Sequence, residues 1–209
     1  MENTHTVSIH DNIELVEKYI FKCKLNLNLN ELNTSSDIMY HFIKKNFSNN
    51  RADYAGKSTL TTKLYSSYNL LLYPLPGFHE LYNEIKDVFH KVNPSSNEKY
   101  YMQCWLNYYQ KGDFIDWHKH WEPESKSWHG FYCVNAESSY TSYKLPHIDT
   151  KIIDIQSENN LLVLSRSDGD KHKSSEWLYE DRPRITIAFD IVPRQYIDHK
   201  FPLNHWIPI

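Results

Sequence analysis

The pattern of hydrophobic and polar positions divides the chain into two parts. Before residue 98, apolar side chains tend to recur every three or four positions, which is the spacing of helices that bury one face. After residue 98, apolar and polar side chains alternate over short segments, as they do in strands. Helices followed by many short strands predict an α+β fold in which the strands form an antiparallel barrel or jelly roll.

Three segments of the first part have a helical pattern. In the strongest, Phe78 to Val92, apolar residues repeat at spacings of three and four. Weaker patterns predict one helix from Asp11, a capping residue type, to Lys24, and another from Ser36 to Asn46. We expect these helices to pack outside the strand-rich part. They either form a substrate lid or contribute to a homodimer contact, and the sequence does not decide between the two.

The second part consists of short strands that are separated by serine, asparagine, aspartate and proline. With 209 residues and no repeat or linker, the chain is predicted to form one domain. It comprises a helical part (1–98), a jelly-roll core (99–193) and a tail (194–209). The predicted strands are 101–108, 131–135, 140–145, 151–156, 160–164 and 184–191.

The composition excludes several classes of function. A formal net charge of -3 gives the chain no general attraction for nucleic acid, which is therefore disfavoured as a partner. Only five residues are glycine, which argues against a phosphate-binding loop. The three cysteines have no CxxC spacing, no signal-peptide layout is visible, and no apolar run could span a bilayer. These features predict a cytoplasmic protein without a membrane partner.

Three histidines form a candidate metal site. His118 and His120 are two residues apart, so in an extended segment both imidazoles point to the same side. The best third ligand is His172, in a predicted loop after an apolar strand. Imidazole suits iron, zinc, copper and nickel, so the ligand type alone leaves the metal open. His129 and His147 lack the spacing and are predicted to be surface or supporting residues.

A downstream arginine suggests a ligand for that metal. Arg184 opens a predicted strand, and the hydroxyl of Thr186 faces the same side two residues later. An inward guanidinium offers two parallel donors to a carboxylate. The pair could hold the far carboxylate of a dicarboxylic keto acid whose other end chelates the metal. Asn107 and Tyr109 share one face of the first strand, and either could bond the same ligand. Otherwise Asn107 would satisfy backbone groups, and Tyr109 would pack in the core.

The order of these motifs resembles that of the 2-oxoglutarate/Fe(II)-dependent oxygenases, and more narrowly that of a small oxygenase group with a His-x-His motif. The resemblance covers about half of the chain, from Lys99 to Pro193. It implies a double-stranded β-helix, also called a cupin-like jelly roll, that binds Fe(II), 2-oxoglutarate and dioxygen. The matching series is Trp105–Asn107, Gly112–Asp113, His118–His120, Gly130–Tyr132, Leu161–Leu164, His172 and Arg184–Phe189.

The chain departs from the wider superfamily at one ligand. Most members carry His-x-Asp or His-x-Glu, whereas His120 stands here at the carboxylate position. A shifted frame would instead pair His120 with Glu122. The spacing from the turn at Gly112 favours His118 with His120, which gives a three-histidine site that is more positive than the usual triad.

The predicted function is therefore a dioxygenase that hydroxylates a C–H bond of a small-molecule or peptide substrate and releases succinate and CO2. The alternative is a cupin-like metal-binding or structural domain without oxidative activity, which would have no need of Arg184. A zinc hydrolase is a third reading, with Glu122 or Asp116 as the general base. The identity of the substrate cannot be read from the sequence.

Overall fold

The computed structural model describes residues 13–47, 59–94, 97–146, 151–197 and 205–209. Within these ranges the chain forms α-helices, short 3-10 turns and β-strands. The helices are α1 (Leu29–Asn46), α2 (Leu60–Lys63) and α3 (Phe78–Val92), and the 3-10 turns are Tyr65–Ser67, Leu70–Leu72, Pro123–Ser125 and Arg194–Tyr196. The strands are β1 (Glu14–Glu17), β2 (Ile20–Lys24), β3 (Tyr100–Tyr109), β4 (Trp128–Asn135), β5 (Tyr140–Lys144), β6 (Ile152–Gln156), β7 (Leu161–Arg166), β8 (Lys171–Ser174), β9 (Arg184–Pro193) and β10 (Ile207–Pro208).

The strands form two antiparallel sheets. The large sheet has the order β1-β2-β7-β4-β9-β3-β10, and the small sheet has the order β6-β5-β8. At the centre of the large sheet, β9 pairs along its whole length with β3, which sets Arg184 opposite Tyr109 and Thr186 opposite Asn107. An isolated bridge between His118 and His172 adds a short segment to the edge of the small sheet. The mixed helix and antiparallel-sheet class predicted from the pattern is confirmed.

Helix α1 contacts β3 and β4 of the large sheet, and α2 contacts β3. The ring of Tyr108 on β3 stacks on Tyr40 of α1 with 4.1 Å between centroids, and its hydroxyl donates to Asp37 at 2.9 Å. Because neighbouring strand residues face opposite sides, Asn107 and Tyr109 point into the space between the sheets. No helix in the described ranges is long and apolar enough to cross a membrane.

The amphipathic helix α3 has the bounds that its periodicity predicts. All five residues of its apolar stripe are buried, because their spacing places them on one face. Helix α1, in contrast, begins at Leu29 rather than at Ser36. The side chain of Asn28 caps it by accepting from the backbone N–H groups of Asn30 and Glu31, a polar start that apolar periodicity does not reveal.

The helix predicted for Asp11 to Lys24 is wrong in its described part, which forms the hairpin β1–β2. Residues 11 and 12 lie outside the described residues. Tyr19 in the turn has φ 67°, a left-handed conformation that no α-helix contains. Strand β2 pairs with β7 over five positions and buries Ile20 and Cys23. Pairing with a distant strand therefore outweighs a weak local helical pattern.

Gly130 stands where β4 passes closest to its neighbours. A Cβ atom at this position would lie 2.3 Å from the carbonyl oxygen of Val163 and 2.5 Å from Cζ of Phe189. We expect Gly130→Ala to lower the free energy of unfolding by about 1–3 kcal/mol, because strand backbone and a packed ring must both shift. Denaturant unfolding measures the change. A free energy of unfolding within about 0.5 kcal/mol of the wild-type value would show that the strand backbone and the ring of Phe189 can shift at little cost.

Candidate active site

A cavity between the two sheets brings the predicted site residues together. Its walls come from α2, from the large-sheet strands β3, β4 and β9, from the small-sheet strands β5 and β8, and from the segment between β3 and β4. All seven residues singled out in the sequence line it: Asn107, Tyr109, His118, His120, His172, Arg184 and Thr186.

Three imidazoles converge at one place in this cavity. Nitrogen atoms of His118, His120 and His172 lie within 4.8 Å of one another. The remote His172 reaches this position through the small sheet, where it and His118 exchange two backbone hydrogen bonds of 3.0 and 2.9 Å. His172 belongs to strand β8, so the loop predicted for this residue is wrong.

The contacts of the Nδ1 atoms orient these three imidazole rings. Nδ1 of His118 donates to the backbone carbonyl of Asp116 at 2.7 Å. Nδ1 of His120 lies 2.6 Å from Oδ1 of Asp190. Nδ1 of His172 faces Oδ2 of Asp170 at 3.8 Å, beyond hydrogen-bond reach. In all three rings Nδ1 faces an oxygen, an arrangement that is common in histidines that bind metal ions.

Asp190 holds two aromatic groups at once. One carboxylate oxygen contacts His120, and the other accepts from the indole Nε1 of Trp121 at 2.9 Å. Its side chain is 10% exposed, so both contacts are largely shielded from water. Asp190 lies on β9, six residues beyond Arg184, and sequence reasoning missed it. An inward acidic residue in an otherwise apolar strand is the only signal that could have revealed it.

A second buried group adjoins the three imidazoles. Nε2 of His129 lies 3.0 Å from Oδ2 of Asp170, and both side chains are almost fully buried. Burial opposes ionisation of Asp170, but the attraction of His129 outweighs it and holds the pKa of that carboxyl well below its usual range. Together with His172 these residues form a second set that could hold an ion. His129 is thus a buried supporting residue rather than a surface one.

Two of the three converging imidazoles are neutral at neutral pH. Burial, reinforced by the charge of His120, lowers the pKa of His118 to about 4. Burial likewise lowers the pKa of His172 well below its ordinary value. Burial also acts to lower the pKa of His120, but the Asp190 carboxylate reverses the net shift and raises it. Neutral imidazole is the form that binds metal ions.

Arg184 lies at the other end of the cavity, buried to 1% exposure. Its Nη1 donates to the carbonyl of Ser175 at 3.3 Å, and its guanidinium lies 4.7 Å from the centre of the Tyr109 ring. Its Nε has no hydrogen-bond partner, and within the described ranges no carboxylate forms an ion pair with it. A buried guanidinium without an anion is costly, which marks a place prepared for one.

The other predicted ligand-binding residues surround Arg184. Asn107 accepts from the hydroxyl of Thr62 at 2.6 Å and donates to Oγ1 of Thr186 at 3.3 Å. Its amide thus bonds the side-chain hydroxyls of two threonines and thereby positions Thr186. Burial raises the pKa of Tyr109, an effect that Arg184 opposes, so its hydroxyl stays protonated and can donate. Thr62 on α2 was not foreseen, because its segment reads as a polar turn.

The carboxylates considered as alternatives lie outside this group. Glu122 is exposed and pairs with Lys119 at 2.5 Å, and its carboxylate is not among the atoms that converge with the imidazoles. Asp116 is also exposed, and its side chain accepts from the backbone N–H of Trp117. The shifted frame that pairs His120 with Glu122 therefore has no geometric support.

The sequence matches no protein-family model and no curated protein, whereas the fold matches many solved structures. A prolyl-4-hydroxylase from Pseudomonas putida aligns with a TM-score of 0.55 at 11% identity, over 89% of this chain and 90% of that one. A prolyl hydroxylase from Trichoplax adhaerens, bound to a hypoxia-inducible-factor peptide, gives 0.55 at 13% identity over 83% and 84%. The α-ketoglutarate-dependent carbocyclase SnoK gives 0.56 at 9% identity over 85% and 80%.

The chain has the fold of the 2-oxoglutarate/Fe(II) oxygenases. The resemblance first recognised in the motif series is thereby confirmed at the level of fold. Identities of 9–13% show the fold alone, so the chemistry of the site has to be argued from its own residues.

Proposed function

We propose that this protein is a 2-oxoglutarate- and Fe(II)-dependent dioxygenase that hydroxylates a C–H bond of a second substrate. The observation that carries the proposal is a buried guanidinium, Arg184, that has no anionic partner among the described residues and lines the same cavity as three converging imidazoles. A metal alone would account for the histidines. Only a ligand that carries its own carboxylate accounts for the arginine as well.

In this proposal His118, His120 and His172 would hold the metal. Three protein ligands would leave positions on the metal for the cosubstrate and dioxygen, as oxygenase chemistry requires. The fold around the site is then a double-stranded β-helix, with β6-β5-β8 and the His118 segment as its smaller sheet. Histidine in place of a carboxylate leaves the charge of the ion less compensated among its direct ligands.

The carboxylate of 2-oxoglutarate farthest from the metal would pair with Arg184, and Thr186 would add a neutral donor from the same face. When bound, iron and 2-oxoglutarate together supply the activation of dioxygen, with succinate and CO2 as by-products. The cavity measures about 40 Å³, so side chains in its walls must move apart when the cosubstrate enters. Buried walls then exclude water from the reacting centre.

The alternative of a cupin-like metal-binding domain without oxidative activity is weaker. Such a domain has no use for a buried arginine that lacks an anion. A zinc hydrolase is weaker still, because its candidate general bases, Glu122 and Asp116, are both exposed and lie outside the imidazole cluster. Cytoplasmic location and homodimer formation stay predictions from the sequence.

Anaerobic calorimetry tests the proposal directly. Fe(II) should bind with one equivalent per chain, and 2-oxoglutarate should bind only to the metal-loaded protein. Exposure to air should then produce succinate slowly, and faster with a true substrate. If 2-oxoglutarate shows no binding at millimolar concentration to protein that holds the metal, the dioxygenase assignment is wrong.

Asp190 should matter to the metal through His120. We expect Asp190→Asn to weaken metal binding by roughly 10–100-fold, because an amide cannot supply the charge that orients the imidazole and increases its basicity. Competition with a chelating dye measures the affinity. Glu122→Gln is the matched control, a carboxylate-to-amide change outside the cluster, and should leave the affinity unchanged. Equal losses in both variants would contradict the role given to Asp190.

A further inference from the structure

A second cavity of about 210 Å³ opens next to the first. The two share the side chains of Thr62, Trp105 and His120, so they meet at one of the converging imidazoles. Arg184 and Thr186 line only the first cavity. A ligand in the second would therefore approach the metal position from the side that the cosubstrate leaves free. We name this space the tryptophan cavity. Its walls are Thr62, Tyr65, Gln103, Trp105, Lys119, His120, Trp121, Asp190 and Trp206.

Aromatic rings form a nearly continuous wall around the tryptophan cavity. The ring of Trp105 stacks beside His120 with 5.9 Å between centroids, and Tyr65 lies 5.5 Å from Trp105. Trp121 and Trp206 meet edge to face at 6.4 Å. Such surfaces bury large apolar groups and pack well against rings.

The polar side chains of these walls are engaged with protein groups. Gln103 donates to the carbonyl of Tyr65 at 2.8 Å, and both oxygens of Asp190 have partners. Thr62 donates to Asn107, while the exposed Lys119 pairs with Glu122. An anion entering the cavity would find its lysine, Lys119, already paired with Glu122. A cation would meet the like charge of Lys119, although aromatic faces otherwise attract cations.

The indole Nε1 of Trp206 is not accessible from the cavity, because this atom is fully buried. Trp206 therefore offers a ligand an apolar surface rather than a hydrogen-bond donor. A dry cavity of about 150 Å³ is known to hold one benzene ring, so the space suits one ring-sized group rather than a whole large substrate.

We propose that the tryptophan cavity receives an uncharged ring-sized group of the substrate and places it beside the metal. This inference rests on the proposed dioxygenase function. It narrows the substrate class to molecules or peptides that present a neutral cyclic group. Trp206, which comes from the C-terminal segment and does not touch the metal ligands through any described hydrogen bond, is then a specificity-determining residue.

Three probes of equal size test the proposal: cyclohexanecarboxamide, cyclohexanecarboxylate and cyclohexylmethylammonium. Each is titrated into Mn(II)-loaded protein with 2-oxoglutarate present, and the relaxation of the probe protons is followed by NMR. The amide should bind at least about tenfold tighter than either charged probe, because a charge buried without a partner is penalised. Its ring protons should relax fastest, since they lie beside the paramagnetic ion.

Variants connect the binding to this cavity. Trp206→Leu should weaken amide binding by about tenfold through loss of the ring contact, and Trp206→Phe, which keeps a ring, should give an intermediate affinity. Trp117→Leu is the matched control, because Trp117 contacts Lys144 and Lys173 outside both cavities. Metal and 2-oxoglutarate affinities should be unchanged in all three variants.

The possible failures are distinguishable. If metal and 2-oxoglutarate bind but a charged probe binds as tightly as the amide, or if both Trp206 variants bind the amide like wild type, the inference is wrong and the dioxygenase proposal stands. If neither metal nor 2-oxoglutarate binds, the dioxygenase proposal fails, and with it the placement of a substrate beside the metal.

Discussion

Arg184→Ala should weaken the binding of 2-oxoglutarate by roughly two to three orders of magnitude while leaving metal binding nearly intact. Removal of one partner of a buried ion pair typically costs about 3–5 kcal/mol, which corresponds to that loss of affinity. Arg184→Lys should recover only part of it, because an ammonium cannot make the two-pronged contact with a carboxylate. Calorimetric titration into the metal-loaded proteins gives the affinities, and equal values in all three would remove the main support for the dioxygenase assignment.

The stability of a protein substituted at the same position provides an independent check. Without a ligand, Arg184 is a buried charge for which the described part of the chain supplies no anion, so Arg184→Met should leave the protein at least as stable as wild type. Replacing buried charges by apolar residues of similar size is often neutral or stabilising by about 1–4 kcal/mol. If the guanidinium of Arg184 has a structural role instead, Arg184→Met should clearly lower the free energy of unfolding measured in denaturant.

The second large effect is on metal binding. It distinguishes the two possible sets of metal ligands, which share His172. We expect His118→Ala and His120→Ala each to weaken metal binding by more than about 100-fold, because each removes a direct ligand. His129→Gln should weaken it by only about 10–100-fold or less, because His129 acts through Asp170 on the orientation of His172. Chelator competition with Fe(II) or Co(II) measures all three affinities.

The reverse order would identify the other set. If His129→Gln or Asp170→Asn abolishes binding while His118→Ala and His120→Ala retain it, the ion sits among His129, Asp170 and His172 instead. The Co(II) absorption spectrum adds a readout that does not depend on activity. It should change in the His118 and His120 variants, because the number of nitrogen ligands falls.

Short-range features of the fold could be predicted where neighbours in sequence are also neighbours in space. The bounds of α3 follow from its apolar spacing, because residues three and four apart share a helix face whatever surrounds them. The pairs His118 with His120 and Arg184 with Thr186 each lie two residues apart. Extended backbone places such residues on one side without help from the rest of the chain.

Other features could not be predicted from the sequence because they depend on contacts between residues that are far apart along the chain. The hairpin β1–β2 forms because β2 pairs with the distant strand β7, and the local sequence does not indicate this pairing. His172 and His118 meet only through a backbone bridge across the small sheet. Asp190, which holds both His120 and Trp121, is a single acidic residue in an apolar strand until the register of the large sheet brings it there.

The sequence by itself thus determined the kinds of element, the chemical groups of the candidate site and the motif order that resembles an oxygenase, since all three depend on residue type and local spacing. Only the tertiary structure decided that the seven site residues share one cavity, that Arg184 is buried with no anion beside it in the described ranges, and that Trp206 from the C-terminal segment lines the tryptophan cavity. These are relations between segments remote in sequence. They are fixed by strand register and by the burial of side chains against distant partners, neither of which any local pattern contains.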